Sequence, residues 1–463
     1  MRKLANKSIA KQMKKSFALL VIFIVTIPSI GLAQSDDLLS VYLKAKKQDS
    51  VYEVANYSFE VSREKLPQAL ASLLPTVNLN ANVNSQDGVS SFGGAANADR
   101  HVRNRSWIVQ FTQPVYRYAN KLAYDQATLQ AQQAYEQFQV AEQDLILRVA
   151  QAYLDQLVSE QNIVVAKAQI LALEQQLILA KRNFEVGATT ITDTYEAKSR
   201  FDLARAQEML ARNDLEVKRA ELEKILGEPT RGLASFSTDL RITSPTPADV
   251  QTWIDIAEAQ NPQVRVAQVA IAVADKEIAK GRAGHQPTLD LTGNYGNNYT
   301  SGSVSSPANI SSQSRSSQIG LQLTIPLYAG GSTNSKVREA LASRSKAFVE
   351  LEATKRQVVT QARQAFAALM NSQVQIEALS SAVVSSKSAL DANKIGYKTG
   401  TRINTDVLNA EQQLFSAQRD LFKAKADALV QGMKLKAAAG SLAQEDLEAV
   451  NQFLSHSNPT IIK

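Results

Sequence analysis

Two kinds of hydrophobic pattern alternate along the chain. In four short segments apolar residues occupy every second position, whereas in the long intervals between them Ala, Leu and Val recur among many polar neighbours. Alternation with a period of two predicts strands with one apolar and one polar face, and the longer period predicts amphipathic helices. The sequence therefore predicts long helices interrupted by four strands.

The four predicted strands cover residues 76–84, 106–115, 288–299 and 316–327. They are joined in pairs by segments 85–105 and 300–317, which are rich in Ser, Asn and Gly. Strands of about ten residues with one apolar face are typical of outer-membrane barrels. The alternative is a half-buried sheet in a soluble domain. The helices have no surplus apolar face to cover such a sheet, which favours the barrel.

The helical intervals contain no proline between Pro114 and Pro229 or between Pro326 and Pro459. Their Ala, Gln, Leu, Glu, Lys and Arg content favours helix. Each interval predicts a helix of about 100 Å that ends at Gly187 or Gly400, followed by a return helix. Shorter helices are predicted over 37–73 and 261–284. The apolar seams are narrow, as in coiled coils.

The chain is an internal duplication. Pro75 and Pro287 are 212 positions apart, and Gly187 and Gly400 are 213 apart. A near-constant offset defines a first repeat at 34–227 (strands, then a helical hairpin over 117–227) and a second at 249–442 (hairpin over 329–440). Between them lies a proline-containing linker, 228–248. The tail, 443–463, is polar, and we expect it to be partly disordered.

Four strands are too few to close a barrel around a water-filled lumen, and an open strand edge is not tolerated in lipid. Other copies of the chain must therefore complete the barrel. Closed rotational symmetry is the usual solution, and three copies would supply twelve strands. The strands alone do not determine that number.

The N-terminus has the pattern of a secretory signal. Six basic residues precede an apolar run at 17–27, and a small-residue site ends at Ala33, which predicts a signal peptide over 1–33. Its removal lowers the formal net charge from +7 to about +1. No basic patch remains for nucleic acid. We expect no later segment to be apolar enough for a transmembrane helix, so membrane passage would use strands.

The composition also limits the chemistry. The chain has no cysteine and only 3 histidines, which excludes disulfides and argues against a metal centre. No nucleophile–base pair or phosphate loop is present, so we expect neither a cofactor nor an enzyme.

Three motifs carry a resemblance to a known family. Residues 325–331 read Ile-Pro-Leu-Tyr-Ala-Gly-Gly, residues 400–410 read Gly-Thr-Arg-Ile-Asn-Thr-Asp-Val-Leu-Asn-Ala, and residues 186–193 repeat the hairpin motif. With four strands at the matching positions, the chain resembles the TolC-like outer-membrane channels of type I secretion and tripartite efflux. The resemblance implies a mainly helical fold with membrane strands. It would be a homotrimer with a twelve-stranded outer-membrane β-barrel continuous with a long periplasmic helical tunnel of coiled-coil type. A belt from the linker and the C-terminal region would surround the tunnel near mid-height.

The resemblance also implies a gate at the periplasmic hairpin tips. Tyr397 and Arg402 would tie the second hairpin to Thr192 and Asp193 of the first, and Asp406 would form an acidic ring at the constriction. A second acidic position of the family is Asn409 here. Taken alone, Arg402 and Asp406 are an exposed pair four residues apart on a helix, worth about 0.3–0.5 kcal/mol.

The implied function is a passive exit duct. Its partners would be a periplasmic adaptor, an inner-membrane ABC or proton-driven transporter and the lipid of the outer membrane. The alternative from another class is a secreted structural coiled-coil protein without a membrane barrel, in which the four strands form an ordinary sheet.

Overall fold

A computed structural model describes residues 36–455 except 92, 95, 231, 237–244, 305, 307 and 309. The signal peptide predicted over 1–33 lies outside the described residues. The described residues form one compact unit that begins at Asp36.

Two long helical hairpins form most of the described chain. Helices α3 (Tyr118–Glu185) and α7 (Ser332–Lys398) contain 68 and 67 residues. Each packs against a return helix, α4 (Ile191–Leu226) or α8 (Asn404–Ala438). At 1.5 Å per residue, each long helix extends about 100 Å. The second hairpin, predicted to begin at about 329, begins at Ser332, because the glycines at 330 and 331 adopt positive φ and form a turn directly before it.

The strands form one antiparallel sheet in the order β1-β2-β4-β5. Strand β1 (Thr76–Ser90) pairs with β2 (Ala98–Tyr116), and β4 (Thr288–Ser301) pairs with both β2 and β5 (Ser312–Thr324). The hairpin connections were predicted too long. Pairing continues through polar residues that lack apolar alternation, because the backbone ladder does not depend on side-chain polarity.

The fourth strand, predicted over about 316–327, is β5, which ends at Thr324, opposite Thr288. Pro326 has no N–H for the ladder, and Pro287 precedes the first residue of the partner strand.

A single helix over 37–73 is also wrong, since α1 (Leu38–Gln48) and α2 (Ser50–Ala71) are separated at Asp49. Asp49 has extended backbone angles, and its Oδ2 accepts a hydrogen bond from the Tyr52 N–H at 2.8 Å. The second repeat has the same break. Helices α5 (Val250–Gln260) and α6 (Pro262–Ala283) meet at Asn261, whose Oδ1 caps Gln263 at 2.8 Å.

The linker and the tail are joined to the helices near the middle of α3. Strand β3 (Ser235–Phe236) pairs with β6 (Leu454–Ser455). The Tyr153 hydroxyl donates to the carbonyl oxygen of Ala234 at 2.8 Å. In the tail, α9 (Gln444–Asn451) is helical and its Leu447 is fully buried, whereas the polar end that contains Pro459 lies outside the described residues.

The main apolar core lies at this same level. It combines residues of α1, the middle of α3, the end of α4 and the end of α8, including the fully buried side chains of Leu38, Leu145, Tyr153 and Leu222. One window of 18 residues in α3 has a mean hydropathy of 1.5, enough to span a membrane by length and composition. The expectation that no later segment would pass that test is therefore wrong. One third of this window is buried within the described structure.

Candidate functional site

The sheet has two chemically different faces. On one face the apolar side chains of Val77, Leu79 and Val83 in β1 and of Ile319, Leu321 and Leu323 in β5 are 60–77% exposed. The other face carries amides, and Asn80 Nδ2 donates to Gln110 Oε1 across β1 and β2 at 3.1 Å. Within the described residues no helix covers the apolar face, so this face is suited to contact with a nonpolar surrounding.

The outer strands β1 and β5 leave two unpaired edges in one protomer. Strand β1 leads away from the helical end of the sheet and β5 returns to it, so these two edges are antiparallel to one another. An edge of β5 on one copy is therefore compatible with an edge of β1 on the next copy.

The far ends of the hairpins turn at the two predicted glycines. Gly187 and Gly400 have φ values of 72° and 75°, a left-handed conformation that L residues with a Cβ rarely adopt. The N–H of Ala188 donates to the carbonyl oxygen of Asn183 at 2.7 Å, and the N–H of Thr401 donates to that of Gly396 at 2.9 Å. These bonds satisfy carbonyl groups that the ends of α3 and α7 would otherwise leave free.

Tyr397 is placed one turn before the second of these glycines. Its ring packs beside the buried side chains of Leu390 and Val407. Its hydroxyl accepts a hydrogen bond from Asn183 Nδ2 at 3.1 Å, which joins the last turns of α7 and α3. Tyr397 therefore ties the two hairpins together, but through a residue that the sequence did not indicate.

Arg402 and Asp406 lie together at the start of α8. Arg402 Nη1 is 3.8 Å from Asp406 Oδ2, and the same oxygen accepts from the Ile403 N–H at 3.4 Å. Asp406 thus also caps the helix. Thr192 is exposed and Asp193 is half-buried in the first turn of α4. Among the described residues, neither Tyr397 nor Arg402 makes a side-chain hydrogen bond or ion pair to either of them.

The structure adds contacts between the return helices that sequence analysis missed. Arg200 on α4 donates from Nη1 to Gln412 Oε1 at 2.6 Å and from Nη2 to Asn409 Oδ1 at 3.0 Å. One turn closer to the tip, Thr405 Oγ1 donates to Glu196 Oε2 at 3.1 Å. These are ordinary polar side chains on helix surfaces, and no motif marks them.

An apolar contact supports the same junction. Leu408 of α8 is 1% exposed and packs against Ala197 and Ala204 of α4 and against Leu173 and Leu177 of α3. The polar contacts therefore lie beside an apolar contact that holds the two hairpins of one protomer together.

The tips offer charge but no metal centre. Within the part of the chain that the structure describes, no group of three or more His, Cys, Asp or Glu side chains could hold a metal ion. Asp406 is 34% exposed, and its counterpart position Asn409 is occupied by the contact with Arg200.

The architecture has counterparts among known proteins. The sequence model of the outer membrane efflux protein family matches residues 41–228 and 253–441, the two repeats of this chain. The chain belongs to this family. Its place is therefore the cell outer membrane with helices extending into the periplasm, and the fold combines membrane strands with a helical barrel.

Individual relatives agree with this assignment. The chain is 32% identical over 424 residues to the outer membrane protein TolC of Vibrio cholerae, which covers 91% of this chain and 94% of the relative. It is 31% identical over 428 residues to the alkaline protease secretion protein AprF of Pseudomonas aeruginosa, covering 91% and 88%.

Solved structures show the same fold at lower identity. The CmeC outer membrane channel of Campylobacter jejuni superposes with a TM-score of 0.74 at 17% identity and covers 91% of this chain and 90% of its own. VceC of Vibrio cholerae gives a TM-score of 0.71 at 18% identity, covering 87% and 96%. The alternative of a secreted coiled-coil protein without a barrel has no support in these comparisons.

Proposed function

We propose that this protein is a passive exit duct of the outer membrane, serving a type I secretion or tripartite efflux system. The observation that supports it most is the sheet with one exposed apolar face, one amide-rich face and two unpaired edges. Such a sheet fits lipid outside and water inside once its edges are closed.

A homotrimer closes those edges in the simplest way. Three copies give twelve strands, each β5 pairing with the β1 of the next copy, and three pairs of helical hairpins continue the lumen as a tunnel. Each repeat, over 34–227 and 249–442, supplies two strands and one hairpin, while the segments at 228–248 and after 442 form the belt at mid-height.

The duct works with an energy source in another membrane. AprF and the proteases secretion protein PrtF of Dickeya chrysanthemi, a relative at 27% identity, are both named for secretion of proteases. We assign this chain the corresponding role beside a periplasmic adaptor and an inner-membrane ABC or proton-driven transporter. We assign it no catalytic role, because the polar groups of the residues that the structure describes line helices and strands and do not converge on a reacting centre.

The hairpin tips are the gate of this duct. Tyr397, Arg402, Thr192 and Asp193 would hold the tips closed. Tyr397 contacts Asn183 and Arg402 contacts Asp406 within one protomer. A tie to Thr192 and Asp193 would therefore form between neighbouring protomers. The adaptor and transporter would open the tip by releasing these contacts, a switch between two packings of the same helices.

Opposite faces of one strand provide the test of membrane insertion. Ile319→Asp puts a charge on the exposed apolar face of β5, whereas Gln318→Asp puts the same charge on the amide-rich face, opposite the neutral Asn294. We expect the first variant to be lost from the detergent-extracted outer-membrane fraction and the second to remain there as a heat-resistant trimer. Equal recovery of both variants would contradict the assigned faces.

Conductance tests the duct and its gate. In planar bilayers we expect the purified trimer to conduct ions and Arg402→Ser to raise the single-channel conductance. A matched Lys398→Ser, which removes a charge from the last turn of α7, should leave the conductance unchanged. A protein that inserts but does not conduct would refute the duct, and a silent Arg402→Ser would refute the gate.

A further inference from the structure

Three arginines lie on the apolar, outward face of the sheet near its far end. Arg103 and Arg105 belong to β2 and Arg315 to β5. Side chains alternate along a strand, so Arg103 and Arg105 share the face of Trp107, and Arg315 shares that of Ile319. All three arginines are exposed.

Strand register places Arg105 and Arg315 near one another, and Arg103 lies two residues farther along β2 toward its connecting turn. Arg105 lies between Val83 of β1 and Tyr299 of β4. Arg315 is opposite Asn297, whose other neighbour is Trp107, the residue two positions from Arg105. With strands about 4.8 Å apart and about 3.4 Å between residues, the backbones of Arg105 and Arg315 are roughly 12 Å apart.

The three guanidinium groups have no acidic partner. Across residues 36–455 as described, none of them forms an ion pair or a side-chain hydrogen bond. The acidic residues on this face of the β1–β2 hairpin, Asp87 and Asp99, lie farther toward its connecting turn, and Asp87 is paired with His101 at 2.5 Å. The charges of the arginines are therefore available to an external anion.

The surroundings mark this level as the edge of the lipid layer. Below it on β1 the face is apolar from Val83 to Val77. The rings of Trp107 and Tyr295 are in edge-to-face contact at 5.6 Å, as expected for the aromatic belt of a membrane strand. A shallow depression of about 520 Å³ beside Arg105 is lined by Ala81, Trp107 and Asn297, among others.

We propose that Arg103, Arg105 and Arg315 form a binding site for the phosphorylated headgroup of an anionic lipid. Guanidinium groups donate paired hydrogen bonds to phosphate oxygens, and the acyl chains of the same lipid would cover Val83 and the apolar face below it. The helices leave the opposite end of the strands toward the periplasm, so the site lies in the outer leaflet. The proposal rests on the outer-membrane placement of the sheet and is independent of duct activity.

Trp107 offers a local reporter, since the chain has only two tryptophans. Full-length trimer carrying Trp253→Phe would be placed in phosphatidylcholine vesicles containing a fixed fraction of brominated phosphatidylglycerol or of brominated phosphatidylcholine. Bromine quenches an indole that it contacts. We expect the anionic lipid to associate with the Trp107 site about fivefold more strongly for each arginine it meets.

Arg103→Gln/Arg105→Gln/Arg315→Gln should abolish this preference, so that both brominated lipids quench Trp107 equally. The control Arg356→Gln/Arg363→Gln/Lys387→Gln removes three exposed or half-exposed charges from α7 and should keep the preference. Equal quenching by the two lipids in the parent protein would overturn the proposal, as would a preference that survives in the first triple variant.

The reporter has a substitute if Trp253→Phe fails to fold. Trp253 is 6% exposed in α5, and its Nε1–H donates to the Pro247 carbonyl, so it lies away from lipid and its emission would be constant in every vesicle. The difference in quenching between the two brominated lipids then reports Trp107 in the unmodified chain. If free inorganic phosphate binds to the trimer but the two brominated lipids quench Trp107 equally, the proposal is contradicted.

Discussion

A variant at Arg200 tests the proposed gate most directly. Its guanidinium joins α4 to α8 through two hydrogen bonds, to Gln412 at 2.6 Å and to Asn409 at 3.0 Å. The variant Arg200→Ala removes both. Because this site is solvent-exposed, each bond contributes about 0.5 kcal/mol, or about 1 kcal/mol per protomer. The buried contact of Leu408 with α4 remains, so we expect the hairpins to stay folded.

The trimer multiplies this small loss. If the three tips open together, three copies of Arg200→Ala would weaken the closed state by about 3 kcal/mol, which raises the ratio of open to closed tips roughly 100-fold. An opening too rare to observe in the parent protein would then be seen in bilayer recordings as frequent high-conductance events.

Single-channel recording in planar bilayers measures this ratio directly. Arg205→Ala is the matched control, since it removes the same charge from the same helix, where the guanidinium lies 5.9 Å from the ring of Phe201. We expect the control to behave as the parent. If Arg200→Ala has the same open fraction as Arg205→Ala, the contact between the return helices does not hold the gate.

Three further outcomes are expected. Asp406→Asn, which can retain the helix cap, should weaken cation selectivity, seen as a smaller reversal potential across a KCl gradient; an unchanged potential would remove Asp406 from the constriction. Burial raises the pKa of the Asp49 carboxyl, but hydrogen bonds from Arg148 and the Tyr52 N–H outweigh it, so the pKa lies below the usual value. Asp49→Asn should therefore lower the free energy of unfolding at pH 7 by about 2 kcal/mol. In thermal unfolding, the difference in stability between the parent and the variant should shrink as the pH falls below about 4. A difference that does not change with pH would contradict the ion pair. Gly440→Ala should lower the unfolding temperature much more than Gly187→Ala. Both glycines have positive φ, but a Cβ at 440 would lie 2.6 Å from Asn261 Cα, whereas a Cβ at 187 would meet no atom within 4 Å. Equal losses in the two variants would show that the backbone angle alone determines the effect.

The two breaks in the short helices show how duplicated sequence can hide a shared structure. Asp49 and Asn261 are 212 positions apart, the offset of the repeats, and both cap the following helix. Beyond the cap they differ. Asp49 accepts from both terminal nitrogens of Arg148 at 3.0 and 2.8 Å, whereas Asn261 Nδ2 donates to the Ala438 carbonyl at 2.9 Å. Asp-Ser and Asn-Pro are recognisable helix starts, but each was hidden within or beside a longer helical pattern.

The strands show where side-chain pattern stops being informative. Alternation identified the membrane part of each strand, because burial in lipid and exposure to the lumen impose opposite polarities on successive residues. Beyond that part both faces meet water, so no alternation is required. Only the structure shows that strand pairing continues as far as Ser90 with Ala98 and Thr300 with Ser312.

At the proposed gate, too, some features could be predicted from the sequence and others could not. The glycine turns at 187 and 400 could be located from the sequence, since a chain reversal between long helices needs a residue without a Cβ. The partners of Tyr397 could not, because Asn183 lies 214 positions away and is an ordinary polar residue of another helix.

By itself, then, the sequence determined the periodic features of this protein: the duplication, the long helices, the two-faced strands and the reversal points. Each follows from local backbone preference or from the environment of one face, and either cause leaves a pattern among neighbouring residues of the sequence. Tertiary structure decided which helix surfaces meet. Contacts such as Arg200 with Asn409 depend on the relative rotation of packed helices, which is fixed by the sum of many weak apolar contacts and leaves no mark at any single position.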